Sequence, residues 1–147
     1  MKFVCETEIN LPVKKVVDLF DNQDNRKYWQ QGFVSYNHIC GNSGEPGAKS
    51  KIVINLGDQV IELTETILVR NPPHELSALY EHKSMVNTMK NRFIPVSENK
   101  TKYEVEIHYT KFIGFIPKML ALLVPGAFKK QVQDTVNRFK MFAEGEK

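Results

Sequence analysis

Two hydrophobic periods follow one another along the chain, and each change of period marks a boundary between elements. Residues 3–10 repeat at every second position: Phe3, Cys5, Thr7 and Ile9 share one face, and Glu6, Glu8 and Asn10 the other, which predicts a half-buried strand. At Asn10-Leu11-Pro12 the period lengthens. Proline is tolerated in the first turn of a helix, where no N–H partner is needed. Val13, Val16, Val17 and Phe20 then form an apolar stripe opposite Lys14, Lys15 and Asp18. The polar run 21–25 ends this helix. A short second helix over Arg26 to Gln30 carries the only tryptophan, Trp29, and stops at Gly32.

From Phe33 to about Phe112 the strand period returns. Strands are predicted near 33–40, 48–56, 60–70, 74–82 and 85–96, with a last one ending near 112. They are parted by the loop Gly41–Gly47, by Gly57-Asp58-Gln59, by Asn71-Pro72-Pro73, by Lys83-Ser84 and by Ser97-Glu98-Asn99-Lys100. In the last strand Tyr103, Val105, Ile107 and Tyr109 alternate with Glu104, Glu106, His108 and Thr110, the signature of one dry and one wet face. The facing of 33–40 stays open. After Gly114 a short apolar segment, Met119–Val124, runs to Pro125-Gly126. Beyond it Phe128, Val132, Val136 and Phe139 line one side of a long amphipathic helix.

The order is strand, two short helices, about six antiparallel strands, long helix. It predicts an α+β fold in which a curved antiparallel sheet of about seven strands carries the C-terminal helix on its concave face. Where facing side chains do not meet, such an arrangement leaves an internal space. The 147 residues suit one domain over 1–147, and 41% hydrophobic with 25% charged residues excludes a disordered chain. The 20 basic and 17 acidic residues are dispersed, so no nucleic-acid partner is expected. Met119–Val124 is too short for a membrane span, and an acid at Glu6 interrupts any secretory leader, so a cytoplasmic location is expected. Cys5 and Cys40 form no CxxC and have no His at ligand spacing. Both are expected to be free thiols acting as small hydrophobes in strands, with no metal and no cofactor.

Several stretches together resemble the START-like (SRPBCC) superfamily, which includes the birch-pollen allergens, plant hormone receptors and polyketide cyclase-like proteins. They are Ile9-Asn10-Leu11-Pro12 leading to Val16, Val17 and Phe20; Tyr28-Trp29-Gln30; Gly44-Glu45-Pro46-Gly47-Ala48-Lys49-Ser50; Thr64-Glu65-Thr66 before Asn71-Pro72-Pro73; and Phe139-Lys140-Met141-Phe142-Ala143-Glu144. The resemblance spans nearly the whole chain and implies a helix-grip fold with a hydrophobic ligand cavity. It does not fix a reaction.

Within that frame Glu65 is the leading candidate for chemistry. In Ile61–Val69 it falls on the apolar parity with Ile61, Leu63, Ile67 and Val69, so it points at the expected cavity. A buried carboxylate needs a partner or a shifted pKa, which suits ligand recognition or acid–base work. A bulge returning it to solvent, or a structural pair, is the competing reading. Met89, Asn91 and Phe93 share a face, and Asn91 offers an amide to the cavity unless the backbone takes it. Tyr80, Tyr103 and Tyr109 fall on inward faces, as cavity lining or as core. Phe128 and Val132 belong to the half of the last helix expected to line the cavity. Met119–Val124 is either packed core or, with the rest of 114–126, a flap over the mouth. His38, His74, His82 and His108 have no nucleophile that the sequence places beside them.

Three functions remain open at this point. The leading one is binding of a small hydrophobic molecule, such as a lipid, polyketide or isoprenoid, by a monomer or homodimer. The second is a cyclase- or dehydratase-type enzyme using Glu65 as acid or base. The third is a chaperone-associated interaction module, since such relatives share the fold and an early Trp-rich stretch, of which Trp29 alone is present here.

Overall fold

The computed structural model describes residues 1–145. Strand β1 (Lys2–Ile9) is followed by helix α1 (Val13–Asp21), a 3-10 turn at Gln23–Asn25 and the single-turn helix α2 (Arg26–Trp29). Six more strands follow: β2 (Phe33–Cys40), β3 (Lys49–Asn55), β4 (Val60–Asn71), β5 (Glu75–Glu81), β6 (Met85–Ser97) and β7 (Lys100–Phe112). Helices α3 (Phe115–Leu123) and α4 (Pro125–Gly145) close the chain. All seven strands form one antiparallel sheet in the order β1-β7-β6-β5-β4-β3-β2. The final strand therefore pairs with the first, and the remainder is a meander of hairpins.

The alternation read from β7 is realised on both faces. Tyr103, Val105 and Ile107 are buried beside Cys5 and Ile9 of β1. On the other face Lys102, Arg92 and Lys90 reach Glu104, Glu6 and Glu106 in a cross-strand ladder of opposite charges. Two glycines are required where the chain changes element. Gly32 has φ +76°, and a Cβ there would lie 2.1 Å from the Asn55 carbonyl oxygen, so only glycine fits the entry to β2. Gly114, at φ +96°, turns the chain from β7 into α3.

Helix α4 packs chiefly on β1, with α1 and α2 beside it. Its Val136, Phe139 and Ala143 are fully buried. The Phe139 ring meets Phe20, Trp29 and Tyr103 at centroid distances of 5.4 Å in each case, all edge-on or near it. Phe93 stacks on Tyr103 at 5.1 Å and extends the cluster. Trp29 is thus part of this aromatic core rather than a presented surface residue. Phe128 lies higher on the helix, half-buried between Tyr109 and Phe112.

Two expectations are corrected. Of the two readings of Met119–Val124, packed core is the one that fails: Met119–Leu123 lie in α3, which buries none of its residues, and Val124 just beyond it is exposed. Composition cannot distinguish a core segment from an exposed apolar one, since only a tertiary partner does. Cys40 is exposed at the end of β2, unlike buried Cys5, because the strand is irregular there.

Phe139→Ala is expected to cost about 3–5 kcal/mol of stability as a large-to-small core change. Phe128→Ala is expected to cost clearly less. Urea denaturation of both variants checks this, and equal small losses would mean that α4 is not held in the grip of the sheet.

Candidate functional site

Strand β4 runs in regular register with β3 from Lys49↔Thr66 to Asn55↔Val60, and this keeps Glu65 on the concave face. A bulge does occur in β4, but it falls between Ile67 and Val69, after Glu65 has been placed. Glu65 is 4% exposed. Its carboxylate accepts hydrogen bonds from the Tyr80 hydroxyl at 2.6 Å and the Tyr36 hydroxyl at 3.4 Å, and from Arg26 Nη1 at 3.5 Å. Tyr80 stands directly opposite Glu65 on β5, which explains the short bond. Arg26 comes from α2, held down by the neighbouring Trp29 in the aromatic core, and its guanidinium also lies 5.5 Å from the Tyr36 ring centroid.

Electrostatics follow from this packing. Burial opposes the charge on Arg26, but Tyr80, Glu65 and Tyr36 around it outweigh the cost and raise its pKa above the usual arginine value. Burial, reinforced by the Glu65 charge, pushes Tyr80 well above the ordinary phenol range, so it remains a hydrogen-bond donor. Burial likewise raises Tyr36, Tyr103 and Tyr109.

The cluster lies in a cleft between the helical segment and the sheet. Asp21, Gln23 and Arg26 form one wall, and Glu65, Ile67, Arg70, Leu76, Tyr80 and Asn91 the other. Its volume is about 70 Å³. Arg70 closes the rim by a two-pronged bond to Asp21, Nη1 to Oδ1 at 2.7 Å. Two polar features inside are incompletely matched. Arg26, with five N–H donors, makes one long side-chain bond among the described residues. The buried Gln23 Oε1 has no partner among the described residues.

The nine residues singled out from sequence do not form one lining. Glu65, Tyr80 and Asn91 meet at the cleft. Asn91 is occupied on both ends, accepting from the Tyr103 hydroxyl at 2.7 Å and donating to the Leu76 carbonyl at 3.2 Å. Phe93 and Tyr103 are core, Met89, Tyr109 and Val132 pack on its edge, and Phe128 covers Tyr109. Arg26 and Tyr36 escaped the sequence reading. A four-residue helix has no periodicity to orient Arg26. In β2, register shifts at Phe33/Ser35 and His38/Cys40 break the parity from which the inward facing of Tyr36 could have been read. His38, His74 and His108 are exposed, and His82 Nδ1 accepts from the Ser84 backbone in its turn. Among the described residues no group of three or more His, Cys, Asp or Glu could hold a metal ion, and no helix is long and apolar enough to cross a membrane.

Arg26→Met is expected to destabilise the protein by about 3–5 kcal/mol, because Glu65 would stay buried without its cation. The double variant Arg26→Met/Glu65→Leu should recover most of that loss in the same urea titration. The raised tyrosines predict an alkaline limit. Their folded pKa values exceed the unfolded value of about 10, so their contribution is complete below that pH and declines above it as the unfolded chain ionises. Urea midpoints measured from about pH 8 to about pH 11 should fall only over the upper part of that range.

No family model matches the sequence, and a comparison with curated proteins finds no match. Solved structures do match in shape over nearly the whole of this chain. The protein TTHA0849 from Thermus thermophilus superposes with a TM-score of 0.78 at 14% identity, over 99% of each chain. The Zhui aromatase/cyclase from Streptomyces sp. R1128 gives 0.79 at 7% identity, covering 98% of this chain and 93% of its own. Ara h 8.0201 gives 0.72 at 14% identity and 97% coverage of both. At such identities the likeness concerns architecture alone: this chain has the helix-grip fold that these proteins share.

Proposed function

We propose that this protein binds a small, largely apolar molecule of lipid, polyketide or isoprenoid type, whose carbonyl, enolate or carboxylate group is received by Arg26. The observation that carries the reading is the incompletely matched guanidinium, buried on the concave face over Glu65 and Tyr36. A desolvated arginine with unfilled donors is a receptor for a ligand acceptor, and the apolar side chains Ile67, Leu76 and Phe20 around it favour an apolar body.

The cleft of about 70 Å³ admits the polar group alone, whereas whole-ligand pockets measure about 300–1,000 Å³. Binding therefore involves lifting the α1–α2 wall from the sheet. Two ion pairs hold that wall, Arg26–Glu65 and Asp21–Arg70. A ligand acceptor on Arg26 replaces part of the first, and the second is half-exposed and opens at small cost.

Native mass spectrometry of the protein recovered from its natural host tests the reading. A bound apolar molecule with an acidic or carbonyl group is expected on the wild type and absent from Arg26→Met/Glu65→Leu. An empty wild type, or a double variant that keeps the molecule, would sink the proposal.

A catalytic version is favoured by one feature, the 2.6 Å hydrogen bond that the Tyr80 hydroxyl donates to the Glu65 carboxylate inside the cleft. Such a pair suits proton transfer at a bound carbonyl compound. Under that version Glu65→Gln abolishes turnover of the recovered molecule while leaving its binding nearly intact; loss of both together returns the site to simple binding.

A further inference from the structure

Helix α3 is the largest departure from the rule that apolar segments find cover. Phe115, Ile116, Leu122 and Leu123 are 77%, 67%, 81% and 71% exposed, and Met119 and Leu120 are also open to solvent. Successive helical residues turn by about 100°, which gathers these six on one broad arc. Pro117 and Ala121, the two less exposed residues, occupy the opposite side. The arc is continuous with exposed Ile113 and Val124 at its two ends. Contiguous apolar surface of this kind on a polar protein marks a contact site.

Charge identifies the occupant. Between Glu106 and Asp134 the chain contains no acidic residue, while Lys111, Lys118, Lys129 and Lys130 fall in this stretch. All four are exposed. Lys130 pairs with Asp134, and the other three meet no acid among the described residues. A second copy docking through the same face would bring together two acid-free, lysine-bearing regions that repel. An anionic bilayer surface matches both features, taking the apolar arc into its acyl boundary and the ammonium groups among its phosphates. The nine residues of α3 are too few to span, so the contact is interfacial.

We propose that α3 docks this protein on the surface of an anionic lipid bilayer. The proposal stands apart from the Arg26 reading, since it uses none of the cleft residues. Co-sedimentation of the full-length protein with vesicles tests it, using phosphatidylcholine alone and phosphatidylcholine mixed with phosphatidylglycerol. Three unpaired lysines predict binding to the mixed vesicles about 100-fold tighter than to the neutral ones, weakening as salt is raised. Leu122→Glu/Leu123→Glu should abolish the binding and leave the circular-dichroism melt unchanged, since both side chains are solvent-exposed. Lys118→Glu should weaken it and reduce its salt dependence. Failure of the wild type to bind mixed vesicles would overturn the proposal, as would binding that survives the double glutamate substitution. A sedimentation-equilibrium dimer that this substitution dissolves, without vesicle binding, would give the face to a second copy instead.

Discussion

A carboxylate on the dry side of a sheet is the constraint around which this molecule is arranged. Glu65 is fixed inward by the register of β3 and β4, and an unpaired charge in that position is far too costly to tolerate. The sheet gives Glu65 two phenols, and its own arginine at the cleft, Arg70, is paired with Asp21 instead. The cation comes from Arg26, so the connection between β1 and β2 must bring a helix across the concave face at one place. That requirement ties together features that look unrelated along the chain. Trp29 anchors α2 in the aromatic core, Gly32 lets the chain turn against Asn55, and Asp21 returns to the sheet through Arg70.

The arrangement also explains why the ion pair is long. The shortest bond to Glu65 comes from Tyr80, its direct cross-strand neighbour, whose position is set by the ladder. Arg26 approaches from another layer and is positioned by packing, which fixes the backbone of α2 without driving the guanidinium onto the carboxylate. A buried pair of this geometry adds little to stability relative to an apolar substitute. On the binding reading proposed above, its value lies in polarity placed where another molecule can use it.

What could be read from the residues follows the same division. Glu65 was legible because β4 keeps period two through that position, and the β7 face was legible for the same reason. Asn91 was placed correctly on its face, yet its partners Tyr103 and Leu76 come from neighbouring strands, so its saturation was not visible. Tyr36 was hidden by the two irregularities of β2, and Arg26 by the brevity of its helix. The packed-core alternative at Met119–Val124 failed for a different reason. Its hydrophobicity was correct, and no pattern within six residues says whether a partner exists. The fold rests on repeated local patterns and was readable; the site rests on single tertiary approaches and was readable only where a strand held its parity.

The cleft and the exposed helix are not independent places on the sheet. Glu65 pairs with Tyr80, Tyr80 with Asn87, and Asn87 with Tyr109, so one row of cross-strand neighbours runs from the buried carboxylate to the ring beneath Phe128. Three steps at the spacing of adjacent strands cover about 15 Å. Above the far end of that row, α4 is held by Phe128 and partly buried Val132, whereas its later turns are locked by Val136, Phe139 and Ala143. Local stability therefore falls along α4 toward α3, because fewer apolar contacts must break to release the upper turns. On the two readings proposed above, the end that loosens most easily is the end that rests on lipid.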